Sequence, residues 1–500
     1  MLAYRDARGS PARAMRMSRR QEWVLVLTVV AVLVLFRSFV FIAYEHAFFD
    51  SDQAIVGLMA KHLVEGRAFP LFYYGQTYML VVDAWVAAPF FVVAGPTVAA
   101  LHTATARLNL VAAVLALVVL SARGAVRPLR ALPAVSLFAL APPVLARSLV
   151  EAGANIGPLV YIPLLWLLRR RPLWSGLVLG IGILNREFTV YAVPVLLAGE
   201  WWAGRLWHSE QMKHWLLVGV VSVGTMQGIQ ALKPFSDMMG PGTRGALVGG
   251  DAGSQVGNIA ERVAIEPRAF PDRARAMLQS YLPVLLGAAE SDLTAIPTGH
   301  AWLWWPLGGG LLVMFGRALI LTWRDGDPDR TAPGWYLAGV GALAIGVYVA
   351  TRPAEGVVIR YLLLAICLPM GIVASHVALE TRRAWLAVPI CVVALSAAVA
   401  TVDHARLIAH FARGQEPNET RVLAAALEAR GIHVAESGYW RAYKISFLTR
   451  EQVKVASTDV VRIEEYQRLA RAAGPDLVAI SEAPCPGGER VSVWYLCRAR

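Results

Sequence analysis

The sequence predicts a mainly α-helical polytopic membrane protein: a bundle of about eleven apolar spans carrying a small C-terminal α/β domain. Three observations predict it. Only 16% of the 500 residues are charged while 57% are hydrophobic, against about a quarter charged in a soluble domain. Apolar runs long enough to cross about 30 Å of hydrocarbon recur along the chain. The last hundred residues abandon that pattern for alternating short helices and strands.

The basic segment 1–22 comes first, with Arg5, Arg8, Arg13, Arg16, Arg19 and Arg20. The apolar run from Trp23 to about Tyr44 is too long for the core of a signal peptide, and no small-residue cleavage site follows it. It reads as an uncleaved first span. The eleven candidate spans are 23–43, 98–121, 131–147, 154–168, 172–185, 188–203, 214–232, 301–322, 334–351, 360–379 and 384–401, within a transmembrane region of 23–402. Eleven crossings put the arginine-rich turns, such as Arg169–Arg171 and Arg382–Arg383, on the side of the N-terminus. The positive-inside rule then makes the N-terminus cytoplasmic and the C-terminus extracytoplasmic. The net charge of +12 belongs to those turns, and no nucleic-acid-binding motif accompanies it. No internal repeat of the transporter kind is visible.

Three hydrophilic pieces then face outward: 44–97, 233–300 and the tail 403–500. In the first, DQAIVGLMAKHLVE (52–65) has apolar residues at helical spacing, with Asp52 as a natural N-cap and Gly66 as a stop. An amphipathic helix of this kind is expected to lie along the membrane interface, and 78–94 is a candidate second one. The tail reads as helix (PNETRVLAAALEARG), strand (IHVAES), helix (YWRAYKISFL), strand (QVKVAS), helix (RIEEYQRLARAAG), strand (DLVAIS) and strand (VSVWYLC). Of four cysteines, Cys367 and Cys391 fall in apolar runs. Cys485 and Cys497 are placed to close a hairpin if that end meets an oxidising space.

The residues able to do chemistry cluster after the first span. Asp50 and Asp52 are either a solvated loop acid and a helix cap, or a working pair in which one carboxylate takes a proton or both hold a divalent cation such as Mg or Mn. Asp83 is an acid inside an apolar segment, costly there without a function. Arg186 and Glu187 in NREFTVY either merely end two helices or enter a site. Arg360 and Tyr361 open VVIRYLLLAICLP, where a fixed guanidinium suits a phosphate at a membrane surface. Arg107 and Arg352 are secondary cations, read as snorkelling or helix-end charges. No CxxC or HExxH occurs.

The string DSDQA followed by LFYYGQTYM-x3-D-x5-P resembles the first extracytoplasmic loop of the C-type (GT-C) polytopic glycosyltransferases. It is most similar to the bacterial branch related to protein O-mannosyltransferases and lipid A aminoarabinose transferases. The charged turn at Arg186–Glu187, the Arg360–Tyr361 run and the tail GYWRAYKISFLTREQVKVAS extend the likeness over residues 20–230 and 350–500. This chain departs from that pattern in having Asp83 where many relatives have Glu, and Leu364 in place of an early Pro. The resemblance implies an inverting glycosyltransferase of the bacterial inner membrane. It would move a sugar from a polyprenyl-phosphate donor to a hydroxyl of an envelope glycan, lipid or protein. It implies Asp50 as the base and Asp52 as its positioning partner or a metal ligand. Arg186 and Arg360 would hold the donor phosphate, Glu187 would hold Arg186 or the sugar, and Asp83, Tyr74, Gln76, Tyr78 and Tyr361 would shape the sugar site, with Gly75 permitting close backbone approach. Tyr439, Trp440 and Tyr443 either stack on a sugar or belong to a core. The rival readings are a lipid or sugar transporter and a non-catalytic envelope scaffold.

Overall fold

A computed structural model describes residues 17–76, 78–121, 126–245, 265–325, 328–351, 359–414 and 417–498. Six helices among them are long and apolar enough to cross a membrane: Arg19–Ala43 (α1), Val98–Ser121, Ser209–Phe235, Ala301–Arg324, Arg330–Ala350 and Arg383–Ala412. They coincide with six of the eleven predicted spans. Segment 131–147 is instead two helices, Pro128–Ala139 and Pro143–Val150, bent by 82°. Adjacent prolines at 142 and 143 cannot continue the hydrogen-bond ladder. Segments 154–168, 172–185, 188–203 and 360–379 carry the shorter helices Gly157–Leu168, Pro172–Asn185, Ala192–Trp202 and Cys367–Leu379. Helices of 11 to 14 residues are too short to cross the hydrocarbon alone. Among the described residues, therefore, six helices, or seven if the bent pair counts as one span, are long enough to cross, and the count of eleven is not reached.

The first hydrophilic piece holds α2 (Ser51–Val64) and α3 (Val82–Ala94). Gly66 takes φ +66° just past α2, as its stop signal requires. Contrary to the interfacial expectation, α2 is buried on nearly every side from Ser51 to His62. Its second face is covered by the helix Tyr439–Leu448 of the tail. The approach is possible because Gly57 has no side chain: a Cβ there would meet the Phe447 ring at 2.4 Å. α3 does expose apolar residues, Val92 and Val93 among them, as a membrane-contacting helix would.

The tail folds as predicted except at its end. Helix Glu419–Ala429 precedes β1 (Val434–Ser437), helix Tyr439–Leu448, β2 (Lys454–Ser457), helix Glu464–Ala473 and β3 (Val478–Ser481). The stretch read as one last strand is a hairpin, β4 (Glu489–Val491) and β5 (Trp494–Arg498), turned at Ser492 with φ +55°. The sheet order is β2-β1-β3-β5-β4, parallel from β2 to β3 and antiparallel beyond. Cys485 and Cys497 are disulfide-bonded, tying β5 to the loop before β4.

The hydrophobic core of this domain is continuous with α2 and α3. Residues 236–239 are wedged between the first loop and the tail: Gly75 N–H donates to Met238 O and Glu464 N–H to Met239 O. A buried ionic clasp locks the joint. Glu451, 3% exposed, accepts hydrogen bonds from Lys61 (2.5 Å), His62 (3.0 Å), Arg67 (2.8 Å) and Tyr466 (2.8 Å). Its backbone sits at φ +65°, an uncommon conformation for a side chain of this kind. Burial alone would raise its pKa, but the hydrogen bonds and charges of His62 and Lys61 outweigh that and hold it below the usual carboxylate range. A depressed carboxylate contributes stability above its unfolded pKa and loses it only as pH falls through the lower folded value. Glu451→Gln keeps the shape but removes the buried charge shared by Lys61 and Arg67, leaving the half-exposed Glu65 as the carboxylate of Lys61. It is expected to cost about 3 kcal/mol at neutral pH, read as a lower thermal midpoint of the detergent-solubilised protein. An unchanged midpoint would show that the clasp does not hold the domain.

Candidate active site

The start of α2 sets the site. The first N–H groups of a helix need acceptors, and two aspartates compete for the task. Asp50, not Asp52, is the cap: its Oδ1 accepts from Gln53 N–H at 3.1 Å. Asp52 falls in the first turn, its carboxylate not used in capping, where the positive end of the helix dipole favours negative charge. Tyr439 Oη donates to Asp52 Oδ1 at 2.5 Å, and Arg360 Nη1 to Asp52 Oδ2 at 3.3 Å. Tyr73 Oη donates to the Asp52 backbone carbonyl.

Arg360 also reaches a second acid, Glu151 Oε1, at 3.8 Å. Glu151 caps the C-terminus of the bent helix Pro143–Val150. Its loop is fixed by Asp83, whose Oδ2 accepts from Ala154 N–H at 2.7 Å while Ala154 takes φ +65°. Burial pushes the Asp83 carboxyl up to about 6 despite that hydrogen bond. Burial, then the charge of Asp50, pushes Glu151 up to about 7, with Arg360 pulling the other way. Asp50 is likewise raised by burial, opposed by the Gln53 N–H and added to by Asp52.

These groups open on a cavity of about 330 Å³, the size of a small-molecule site. Seven residues expected from the sequence line it: Asp52, Gln76, Tyr78, Arg186, Glu187, Arg360 and Tyr361. Arg186 follows helix Pro172–Asn185 and lies 5.5 Å from the Phe188 ring, with Nη1 3.7 Å from Met79 Sδ. Its Nε is buried without a partner, and among the described residues no carboxylate lies within ion-pair distance of it. Three expected residues do not line the cavity. Asp50 is used in capping, Asp83 pins the Glu151 loop, and Tyr74 points away into the clasp, 3.1 Å from His62 Nδ1. Arg107 is exposed, and Arg352 lies outside the described residues.

Sequence reasoning missed Glu151, Asp459 and Arg462, all on the lining. Glu151 had a usable signal, an acid between two apolar runs in LVEAGANIGP. Arg462 had none. It comes from the loop after β2, donates to the carbonyls of Tyr74 (3.3 Å) and Gly75 (3.2 Å), and lies over the Tyr73 and Tyr439 rings. Gly75 is required there: at φ +72°, a Cβ would press on Arg462 at 3.1 Å. Of the tail aromatics, Tyr439 and Trp440 line the cavity, whereas Tyr443 is core, accepting Arg462 N–H.

A divalent cation fits poorly. Among the described residues no three His, Cys, Asp or Glu side chains gather to hold one. Asp50 is committed to the helix, and Arg360 already stands as the cation between Asp52 and Glu151.

No protein-family model matches the chain, and no curated protein does. Solved structures do. ArnT from Cupriavidus metallidurans bound to undecaprenyl phosphate superposes with a TM-score of 0.58 at 12% identity, over 95% of this chain and 97% of that one. The same protein in the apo state gives 0.55 at 12% identity, over 96% and 98%. From bundle to C-terminal sheet, the chain has the fold of ArnT.

Proposed function

We propose that the protein is an inverting membrane glycosyltransferase that moves a sugar from a polyprenyl-phosphate donor to a hydroxyl acceptor. The observation that carries the reading is one cavity in which Asp52, Glu151, Arg360 and Arg186, the last without a carboxylate partner among the described residues, converge at the end of an apolar bundle. Its lipid arm is supported by the undecaprenyl phosphate bound in the first ArnT structure. The proposed setting is the bacterial inner membrane, with a cytoplasmic N-terminus and the cavity and tail domain outside. The Cys485–Cys497 bond suits such an oxidising space.

The assigned chemistry follows the geometry. Asp52 is the base: it takes the acceptor proton as the hydroxyl oxygen bonds to the anomeric carbon. The carbon–oxygen bond to phosphate breaks on the opposite face, and its electron pair leaves with the phosphate. Arg360 and Arg186 receive that charge through planar arrays of donors. Gln76, Tyr78 and Tyr361 bound the sugar space, and Glu187 lies beside Arg186. Asp50 works at one remove, holding α2 and adding negative charge near Glu151. Arg360 fills the role a metal would fill. The acceptor is a glycan, lipid or protein of the envelope.

Glu151 gives the site a pH response. An anionic phosphate arriving near Arg360 favours the protonated form of an acid that titrates at about 7, so donor binding takes up a proton and weakens as pH rises past 7. Three measurements test the proposal. Asp52→Asn is expected to lower release of polyprenyl phosphate from labelled donor about 100-fold or more, while Asp50→Asn, which still caps, costs only a few-fold. The reverse order would return the base to Asp50. EDTA is expected to leave the rate unchanged, and loss of activity restored by Mg or Mn would overturn the assignment to Arg360. Affinity for polyprenyl phosphate is expected to weaken more steeply between pH 7 and 8 in the wild type than in Glu151→Gln. Identical slopes would remove Glu151 from donor binding.

A further inference from the structure

We infer that Tyr439, from the C-terminal domain, is a positioning residue for Asp52, so that the domain completes the reactive centre instead of only covering it. The inference rests on the role proposed for Asp52. Its geometry stands independently.

Tyr439 is the first residue of its helix, and its backbone N–H is held by Asp459 Oδ1 at 2.7 Å. Asp459 is itself fixed by Ser457 Oγ at 2.8 Å. The ring is 5% exposed and packs edge-on between Trp440 and Tyr443. Position and direction of the hydroxyl are thus set by the domain before it meets α2. It meets Asp52 on Oδ1, the oxygen Arg360 leaves free. Each oxygen therefore has one fixed donor, and the carboxylate cannot rotate without breaking one of them. Its remaining lone pairs are those a hydroxyl in the cavity can use. Burial, with the Asp52 charge next, pushes the phenol well above its usual range, so it remains a donor wherever Asp52 is a carboxylate.

A hydrogen bond to a carboxylate fixes its orientation. Removing it should leave Asp52 free to rotate and less well aimed. Tyr439→Phe keeps the ring and its packing and deletes only the hydroxyl. Two readouts are expected. Carbodiimide labelling of Asp52, which needs no catalytic activity, should run roughly tenfold faster once the carboxylate loses one of its two fixed donors, with exposed Asp476 on the C-terminal domain as the internal reference. In turnover, kcat should fall roughly tenfold while the KM for donor stays within about twofold. Unchanged labelling and turnover would overturn the inference. So would equal acceleration at Asp52 and Asp476, which would mean a loosened domain. If Asp52 alone labels faster but the wild type releases no polyprenyl phosphate, the positioning contact stands and the glycosyltransfer reading fails.

Discussion

The geometry of the cavity depends on which of two aspartates caps one helix. An uncapped N-terminus costs about 1 kcal/mol, so α2 must recruit an acceptor, and it recruits Asp50. Had the helix begun two residues later, Asp52 would have been the cap, as its sequence position suggests. Its carboxylate would then be turned into backbone hydrogen bonding and lost to the cavity. With Asp50 in that role, Asp52 lies at the positive end of α2 with both oxygens available to side chains from elsewhere.

That choice is stabilised from a distance. The partners of Asp52 come from 308 and 387 residues further along the chain. The first is presented by the short turn Ile359–Tyr361 before a late apolar helix, the second by the tail domain. Tyr439 could not hold Asp52 unless the tail were locked onto α2, which is what Gly57 and the Glu451 clasp accomplish. The close packing of Phe447 over Gly57 and the burial of Glu451 among Lys61, His62 and Arg67 are stability features in one sense. In another they are the scaffold of the site, since a tail free to rock would carry Tyr439 and Arg462 away with it.

This explains what the sequence could and could not disclose. Apolar run lengths, the alternation of the tail and the placing of Asp52, Arg186 and Arg360 are local properties, and local rules recover them. The hairpin at Ser492 escaped because no Gly, Pro or Asn marks it, and the left-handed residue is a serine. The burial of α2 escaped because amphipathicity reports one buried face, while the second is covered by residues nearly 400 positions away. The capping choice escaped because Asp-Ser-Asp offers two equivalent caps, and only long-range partners separate them. The resemblance puts Tyr74 in the sugar site, but the structure turns it away. In a run of three aromatics the backbone directs neighbours differently: Tyr73 faces the cavity, and Tyr74 the clasp.

The charge balance of the cavity bears on turnover as well as on binding. Four acids, Asp52, Glu151, Glu187 and Asp459, face three arginines, Arg186, Arg360 and Arg462. A pit built only to seize phosphate would be strongly cationic. This one is close to neutral when Glu151 holds its proton, and net negative when it does not. On the proposed reading the donor enters with one negative charge and leaves, after transfer, as a phosphate monoester whose second ionisation lies near pH 6. The product is thus more anionic than the substrate. A strongly cationic site would hold it more tightly than the donor and stall. Neutrality tuned by Glu151 lets Arg360 and Arg186 meet the charge that develops as the bond breaks, and Glu151 opposes the dianion once it has formed. On that reading, the acid overlooked in the sequence is the group that reconciles phosphate recognition with phosphate release.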